Sequence, residues 1–526
     1  MHFNRGFLIL VGSGLLLSIL ACATLGSLAE SSPSPTPTVQ SQTLAAPTAQ
    51  VVITPAPTTA RAPTPTPTPT LTSTPLPPTG DAAMPLTATA TLTPTAYLPT
   101  VMHNWELSVW ETQLTLNSYG WEQALRDSAP DKPYYPYYHD LDFGAVGPLA
   151  PRAYTGIILE NSYIRITVLP EMGGRILRWE DRTTGRLLTY ANPVIKPTHW
   201  GYRGWWLGTG GIEWAFPVDE HGLNEYRPWQ YELLSGDNWR GVRVWDSDDC
   251  TGMTIEVTLR LYGGSSDLVI TPRITNPTGE AHPLQFWINA MLTLSGSNVP
   301  SSGLRFWIPA DTMMVHSTGD GSLPEPRSTI SWPIYNGRDF SHYTEWHKYL
   351  GLFATEARGA AGAYDEIADQ GLVRSYPPGG PQGVKLFCLG DLPADLYTDD
   401  GSRYFEFWGG YNYSFFPEDY VTLPAGASIT WEEHWYPVHG IGGLGWANGE
   451  LAAALKVSGE SVQVGLYATS RAEAQLRLLQ HGELREEWVV VTGPDAPFRQ
   501  SITGSGEGWL LQVWQGGALL AEVSPS

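Results

Sequence analysis

Apolar and polar residues alternate with a period of two along much of the chain. Ile164, Ile166 and Val168 alternate with Tyr163, Arg165 and Thr167 until Pro170 and Gly173-Gly174 turn the backbone. The cleanest stretch sets Met253, Ile255, Val257, Leu259 and Leu261 against Thr254, Glu256, Thr258 and Arg260, ahead of Gly263-Gly264. Successive strand side chains point to opposite faces, so this spacing predicts half-buried strands and conflicts with the 3.6 period of a helix. Similar stretches at 269–275, 284–292, 349–355, 384–389, 404–408 and 428–436 place the strand signals after Tyr154. Many strands, Gly/Pro turns and few helical patterns predict a large sandwich of antiparallel sheets. After Gly445, Val462, Val464, Leu466, Leu476, Leu478, the run 488–491, Leu511 and Val513 predict a small β-sandwich module at 446–526. Its function is not legible.

The first hundred residues follow another rule. Arg5 precedes an apolar run at 7–21, a basic region followed by a short hydrophobic one, as in an export signal. The run ends Ile19-Leu20-Ala21-Cys22, which resembles a lipoprotein signal in which the Cys22 thiol takes a diacylglyceryl group. Ordinary cleavage at the small-x-small site Ala21-Cys22-Ala23 and an uncleaved signal anchor stay open. From Ser31 to about Thr100 the chain is mainly Pro, Thr, Ser and Ala, clearest at Pro63-Thr64-Pro65-Thr66-Pro67-Thr68-Pro69-Thr70. Such a segment buries no core, and proline favours an extended spacer of ~3 Å per residue. The expectation is a signal segment at 1–22, a stalk at 23–100 and folded chain at 101–445 and 446–526, exported and lipid-anchored on the extracellular face.

Charge narrows the partners. A formal net charge of −22 disfavours nucleic acid and anionic lipid surfaces, since a phosphate backbone is held mainly by Lys and Arg. With 22 Trp and 25 Tyr but only 16% charged residues, the chain suits aromatic walls and neutral or locally paired ligands. Three cysteines make no disulfide scaffold. Cys250 and Cys388 are either a bridge or two buried thiols.

Specific residues carry a resemblance. The series Leu159-Glu160-Asn161, Pro170-Glu171-Met172-Gly173-Gly174-Arg175-Ile176, Asn192-Pro193-Val194-Ile195-Lys196-Pro197 and Gly211-Ile212-Glu213-Trp214 resembles an uncharacterised bacterial domain family of the galactose mutarotase-like superfamily. Phe286-Trp287-Ile288-Asn289-Ala290, Leu396-Tyr397-Thr398-Asp399-Asp400-Gly401, Tyr404-Phe405-Glu406 and Trp435-Tyr436-Pro437 follow in the same order, so the likeness runs over 154–443. Members are often joined to tetratricopeptide repeats, which this chain lacks. The resemblance implies an antiparallel β-supersandwich and a carbohydrate ligand; it does not settle a reaction.

The stretch 199–226 concentrates Trp200, Tyr202, Arg203, Trp205, Trp206, Glu213, Trp214, Asp219, His221 and Glu225 among glycines. Aromatic faces match the C–H faces of sugars while carboxylates and Arg hold hydroxyls, so a glycan cleft is one reading and a Trp-rich core with a polar loop the other. The superfamily resemblance implies a carboxylate that deprotonates the anomeric hydroxyl and a His that protonates the ring oxygen, with Glu213, Glu406 and His221 as candidates. Glu213 and Glu406 sit between apolar neighbours on strands and need partners if buried. Arg175, Lys196 and Arg203 either meet an acidic sugar or form internal ion pairs, and Trp205, Trp206, Trp214 and Asn289 complete the expected sugar contacts. Two carboxylates across one bond would instead suit glycoside hydrolysis. His342-Tyr343-Thr344-Glu345-Trp346-His347 has the wrong spacing for a zinc helix, no G-x-S-x-G occurs, and Asp395, Asp399 and Asp400 before Gly401 read first as a turn. No cofactor or metal is expected. A carbohydrate-active enzyme, a non-catalytic glycan-binding or adhesion module and a structural envelope protein all remain open.

Overall fold

The computed structural model describes residues 107–525 apart from Asp219 and Thr355. The expected signal with Cys22, the stalk and Asp219 lie outside the described residues. Within them the fold is all-β, with short 3-10 turns and no α-helix.

A 14-stranded sheet and a nine-stranded sheet form the main body. The strand Thr254–Tyr262 shows the expected alternation, with Ile255, Val257, Leu259 and Leu261 buried. They meet Ile164, Ile166, Val168, Ile176, Ile212, Trp214, Ile288, Leu386 and Phe407 of the large sheet in one continuous core. Each sheet therefore turns one apolar face inward, which makes the pair a sandwich. The region 284–292 divides into His282–Leu284 and Trp287–Leu292, and 428–436 into Ser428–Thr430 and Glu433–His439.

Strand structure does not begin after Tyr154, as the apolar pattern predicts. Ser108–Gly120 pairs antiparallel with Gly147–Glu160 along almost its whole length. Its Thr, Gln and Asn positions are largely exposed, so the ladder of backbone hydrogen bonds holds it where apolar alternation is weak.

An ion pair closes the sandwich interior. Arg374, fully buried, donates from Nε to Glu433 Oε2 at 2.7 Å and from Nη2 to Oε1 at 3.0 Å. Its other hydrogens reach the Gly383 carbonyl at 2.9 Å and the Pro381 carbonyl at 2.8 Å. The indoles of Trp431 and Trp435 donate to the two oxygens of Glu433 at 2.9 and 3.0 Å. Since the Gly383 carbonyl belongs to the large sheet, the guanidinium ties the two sheets together.

The C-terminal region forms two four-stranded sheets over its own core of Leu451, Leu455, Val464, Leu476, Leu511 and Val513. Ala452, Ala454 and Tyr467 pack on Tyr364, Val373, Tyr436 and Val438 of the smaller large-domain sheet. This sheet is thus covered on both faces, and its central strands are buried without alternation. Cys250 and Cys388 are both free, with Cys388 buried, so the bridge reading falls.

Candidate functional site

Alternation along the large sheet decides which side chains can meet. Ile212 and Trp214 face the core, so Glu213 between them faces outward. Phe405 and Phe407 bracket Glu406 in the same way, and Val384 and Leu386 bracket Lys385. Ladder pairing sets Glu213 opposite Asn289, Asn289 opposite Trp408, Trp408 opposite Lys385, and Glu406 opposite Met291 and Phe387. A row of polar and aromatic groups therefore crosses the outer face of five neighbouring strands, counting Arg175 at its end. Gly211 allows the chain to enter this row: its φ is +80°, and a Cβ there would lie 2.1 Å from the Ile176 carbonyl.

Glu213 is the hub. His221 Nδ1 lies 2.5 Å from Oε1, Asn289 Nδ2 donates to Oε1 at 2.9 Å, and Trp206 Nε1 donates to Oε2 at 3.1 Å. Arg175 Nη1 stands 3.4 Å from Oε2. The imidazole of His221 stacks on the Trp206 indole, with ring centres 4.2 Å apart. Glu406 accepts from Trp408 Nε1 at 2.8 Å, and Lys385 Nζ lies 4.2 Å from the centre of the Trp408 ring.

The two carboxylates are pushed apart electrostatically. Burial raises Glu406 above its ordinary value, only partly offset by Lys385 and His221. Burial acts upward on Glu213 too, but His221, Arg175 and Asn289 outweigh it and the net direction is down. Burial lowers His221, yet the charge and hydrogen bond of Glu213 reverse this and hold the imidazole above its ordinary value. Environments that separate the proton affinities of neighbouring groups are the mark of acid/base assignments. The arrangement is closed: Glu406 is 5% exposed and His221 9%. Three buried polar atoms here, Asn289 Oδ1, the hydroxyl of Tyr404 and Arg175 Nη1, have no hydrogen-bond partner among the described residues. Unpaired buried groups of this kind call for a ligand or water.

The structure brings together Glu213, His221, Glu406, Arg175, Trp206 and Asn289 from the expected set. It places four others elsewhere. Trp214 faces the sandwich core and donates to the Gly174 carbonyl at 3.0 Å, because residues at odd and even positions on one strand cannot share a face. Trp205 donates to the His139 carbonyl at 3.0 Å and packs with Trp121 and Tyr226. Arg203 grips Glu225 with both terminal nitrogens at 2.8 and 2.6 Å, and its guanidinium carbon lies 4.4 and 4.5 Å from the ring centres of Trp205 and Tyr226. The Glu225 backbone in turn crosses Gly173, where φ is +72° and a Cβ would lie 2.7 Å from the Glu225 Cα. Lys196 Nζ donates to Asp399 Oδ1 at 2.7 Å and to the Asp395 carbonyl at 2.7 Å, while Tyr119 takes the other Asp399 oxygen. Internal ion pairs thus claim both cations. Lys385 escaped the sequence reading, and Tyr404 entered it only as part of a family motif, not as a site residue. A lone lysine between core-facing Val384 and Leu386 was the available signal, but its aromatic neighbours come from register.

Residues 129–438 match the family described as Domain of unknown function (DUF5107), and the chain belongs to that family. Among solved structures, a TPR-domain containing protein from Parabacteroides distasonis is similar at 22% identity and a TM-score of 0.55, over 63% of this chain and 55% of that one. This chain thus spans about half the length of that protein. A galactose mutarotase-like protein from Clostridium acetobutylicum is 12% identical with a TM-score of 0.38, over 55% of this chain and 96% of that one. Another from Lactobacillus casei is 11% identical with a TM-score of 0.37, over 54% and 99%.

Proposed function

We propose that this is an exported, lipid-anchored protein that binds a sugar at the Glu213, His221, Glu406 cluster and catalyses acid/base chemistry at its anomeric centre. The observation that carries the reading is the opposed electrostatic bias of two carboxylates around one imidazole on a single sheet face. Glu406, whose proton affinity burial raises, takes in its ionised form the proton of the anomeric hydroxyl as the ring C–O bond opens. His221, whose proton affinity Glu213 raises, gives a proton to the ring oxygen. Glu213 orients the imidazole through its bond to Nδ1 and leaves the other ring nitrogen for the sugar. Asn289 and Tyr404 supply the unpaired groups that a hydroxyl satisfies. The export and lipid anchor rest on the basic, apolar and Cys22 pattern of the N-terminus.

The near-complete burial of Glu406 and His221 favours a second reading, a glycan-binding module without turnover. A glycan-library screen that scores binding and product release together, with the double Glu213→Gln, Glu406→Gln variant alongside, separates the two. Turnover lost in the variant supports the first reading; binding without product in the native protein supports the second. No binding and no product would reject both.

A pH profile gives a sharper check. Catalysis needs Glu406 ionised and His221 protonated. Activity should therefore rise through a carboxyl titration above the ordinary 4.5 and fall through an imidazole titration above the ordinary 6.5. In Glu213→Gln the largest influence opposing the burial of His221 is gone, with only Glu406 and Glu220 left to raise it, so the alkaline limb should move to lower pH. An alkaline limb that stays in place would remove His221 from the acid role.

A further inference from the structure

The cations expected to read an acidic sugar are Arg175, Lys196 and Arg203, and all three are engaged inside the fold. One arginine nearby is not. Arg178 is exposed, and among the described residues its guanidinium has no ion pair and no hydrogen bond. It lines a cleft of about 300 Å³ formed with residues of the strands Ser108–Gly120, Ala191–Thr198 and Trp206–Gly210. That volume is at the lower end of the range for small-ligand sites, about 300–1,000 Å³, the size of one or two sugar rings.

The position of Arg178 follows from a bulge. The ladder shifts register between Thr167 and Val168, so that Ile176 and Trp179 both face the core while Leu177 and Arg178 between them face outward. The cleft therefore opens on the same sheet face as Glu213. Exposed Pro193, over the nearly buried Leu177 and Ile195, gives it an apolar edge suited to a sugar's C–H face, and the exposed side chain of Asn117 gives it an amide for hydroxyls. No Asp or Glu lines it, in a chain whose net charge is −22. A cationic fork without a carboxylate partner, set in a cleft, suits an oxyanion that Arg grips with two parallel hydrogen bonds.

We infer that this cleft is a subsite for one sugar residue bearing a carboxylate or sulfate group, which Arg178 holds. The inference rests on the carbohydrate reading above and narrows it to anionic glycans. Because Arg178 makes no internal bond among the described residues, its replacement removes a ligand contact without opening the fold.

The test is binding of the full chain to oligosaccharides of alginate, pectin, glycosaminoglycans and sulfated galactans, each beside its carboxyl-reduced, methyl-esterified or desulfated form. The expected result is a preference of roughly tenfold for at least one charged form, as a charge-assisted contact provides, weakened by salt. Carboxylate and sulfate are told apart by which neutralisation removes the preference. Arg178→Ala should abolish it, Arg178→Lys should keep part of it, and both should melt with the native protein. A preference unchanged in Arg178→Ala, or no preference alongside binding of the neutral forms, overturns the subsite and leaves the carbohydrate reading intact. Failure of every charged and neutral probe to bind overturns both.

Discussion

Arg374→Met is expected to cost about 3–5 kcal/mol of stability, because it strands the Glu433 carboxylate in the sandwich interior without its cation. Glu433 is fully buried and would keep only the two indole donors of Trp431 and Trp435. The arginine also ties the nine-stranded sheet to the Gly383 and Pro381 carbonyls, so those acceptors lose their donors as well. Glu433→Gln should be comparably damaging from the other side, since it leaves the guanidinium buried and uncompensated. Denaturant unfolding followed by tryptophan fluorescence measures both. The pair is also a test of coupling: the double variant should lose much less than the sum of the singles, as groups in direct contact do. A loss under about 1 kcal/mol in Arg374→Met would mean that water reaches the site and that the sandwich is not closed there.

Glu406→Gln should lower turnover by roughly 10²–10⁴-fold, the usual contribution of a placed general acid or base. Binding of the sugar should change far less, because the amide keeps the shape and can still accept from Trp408 Nε1, 2.8 Å away. The expected signature is a fall in kcat with KM nearly constant, which marks an interaction made in the transition state. Glu213→Gln should behave differently. It weakens the partner of His221 and leaves buried Arg175 without its carboxylate, so it should cost stability as well as rate. Equal kcat in native protein and Glu406→Gln would take Glu406 out of the chemistry and move the assignment to a binding module.

The two carboxylates were legible as candidates because each is a lone acid between apolar residues on a strand. Period-two alternation then says more than composition does: with Ile212 and Trp214 in the core, Glu213 must leave it. The same rule excludes Trp214 from the sugar side, which the clustering of aromatic residues at 199–226 had obscured. Arg203 and Glu225 show the opposite case. They belong to an irregular segment, where no periodicity tells which way a side chain points, and only the folded chain pairs them at 2.6 Å.

Alternation, turn residues and the order of motifs were sufficient for the all-β class, most strand positions and the family likeness, because these depend on local geometry and on burial of one strand face. Register across the large sheet, the bulge beside Arg178, the Arg374–Glu433 tie and the meeting of His221 with Glu213 come from tertiary structure alone. Each joins segments through contacts that stabilise only when the whole sandwich is assembled, so no stretch of sequence carries their signal by itself.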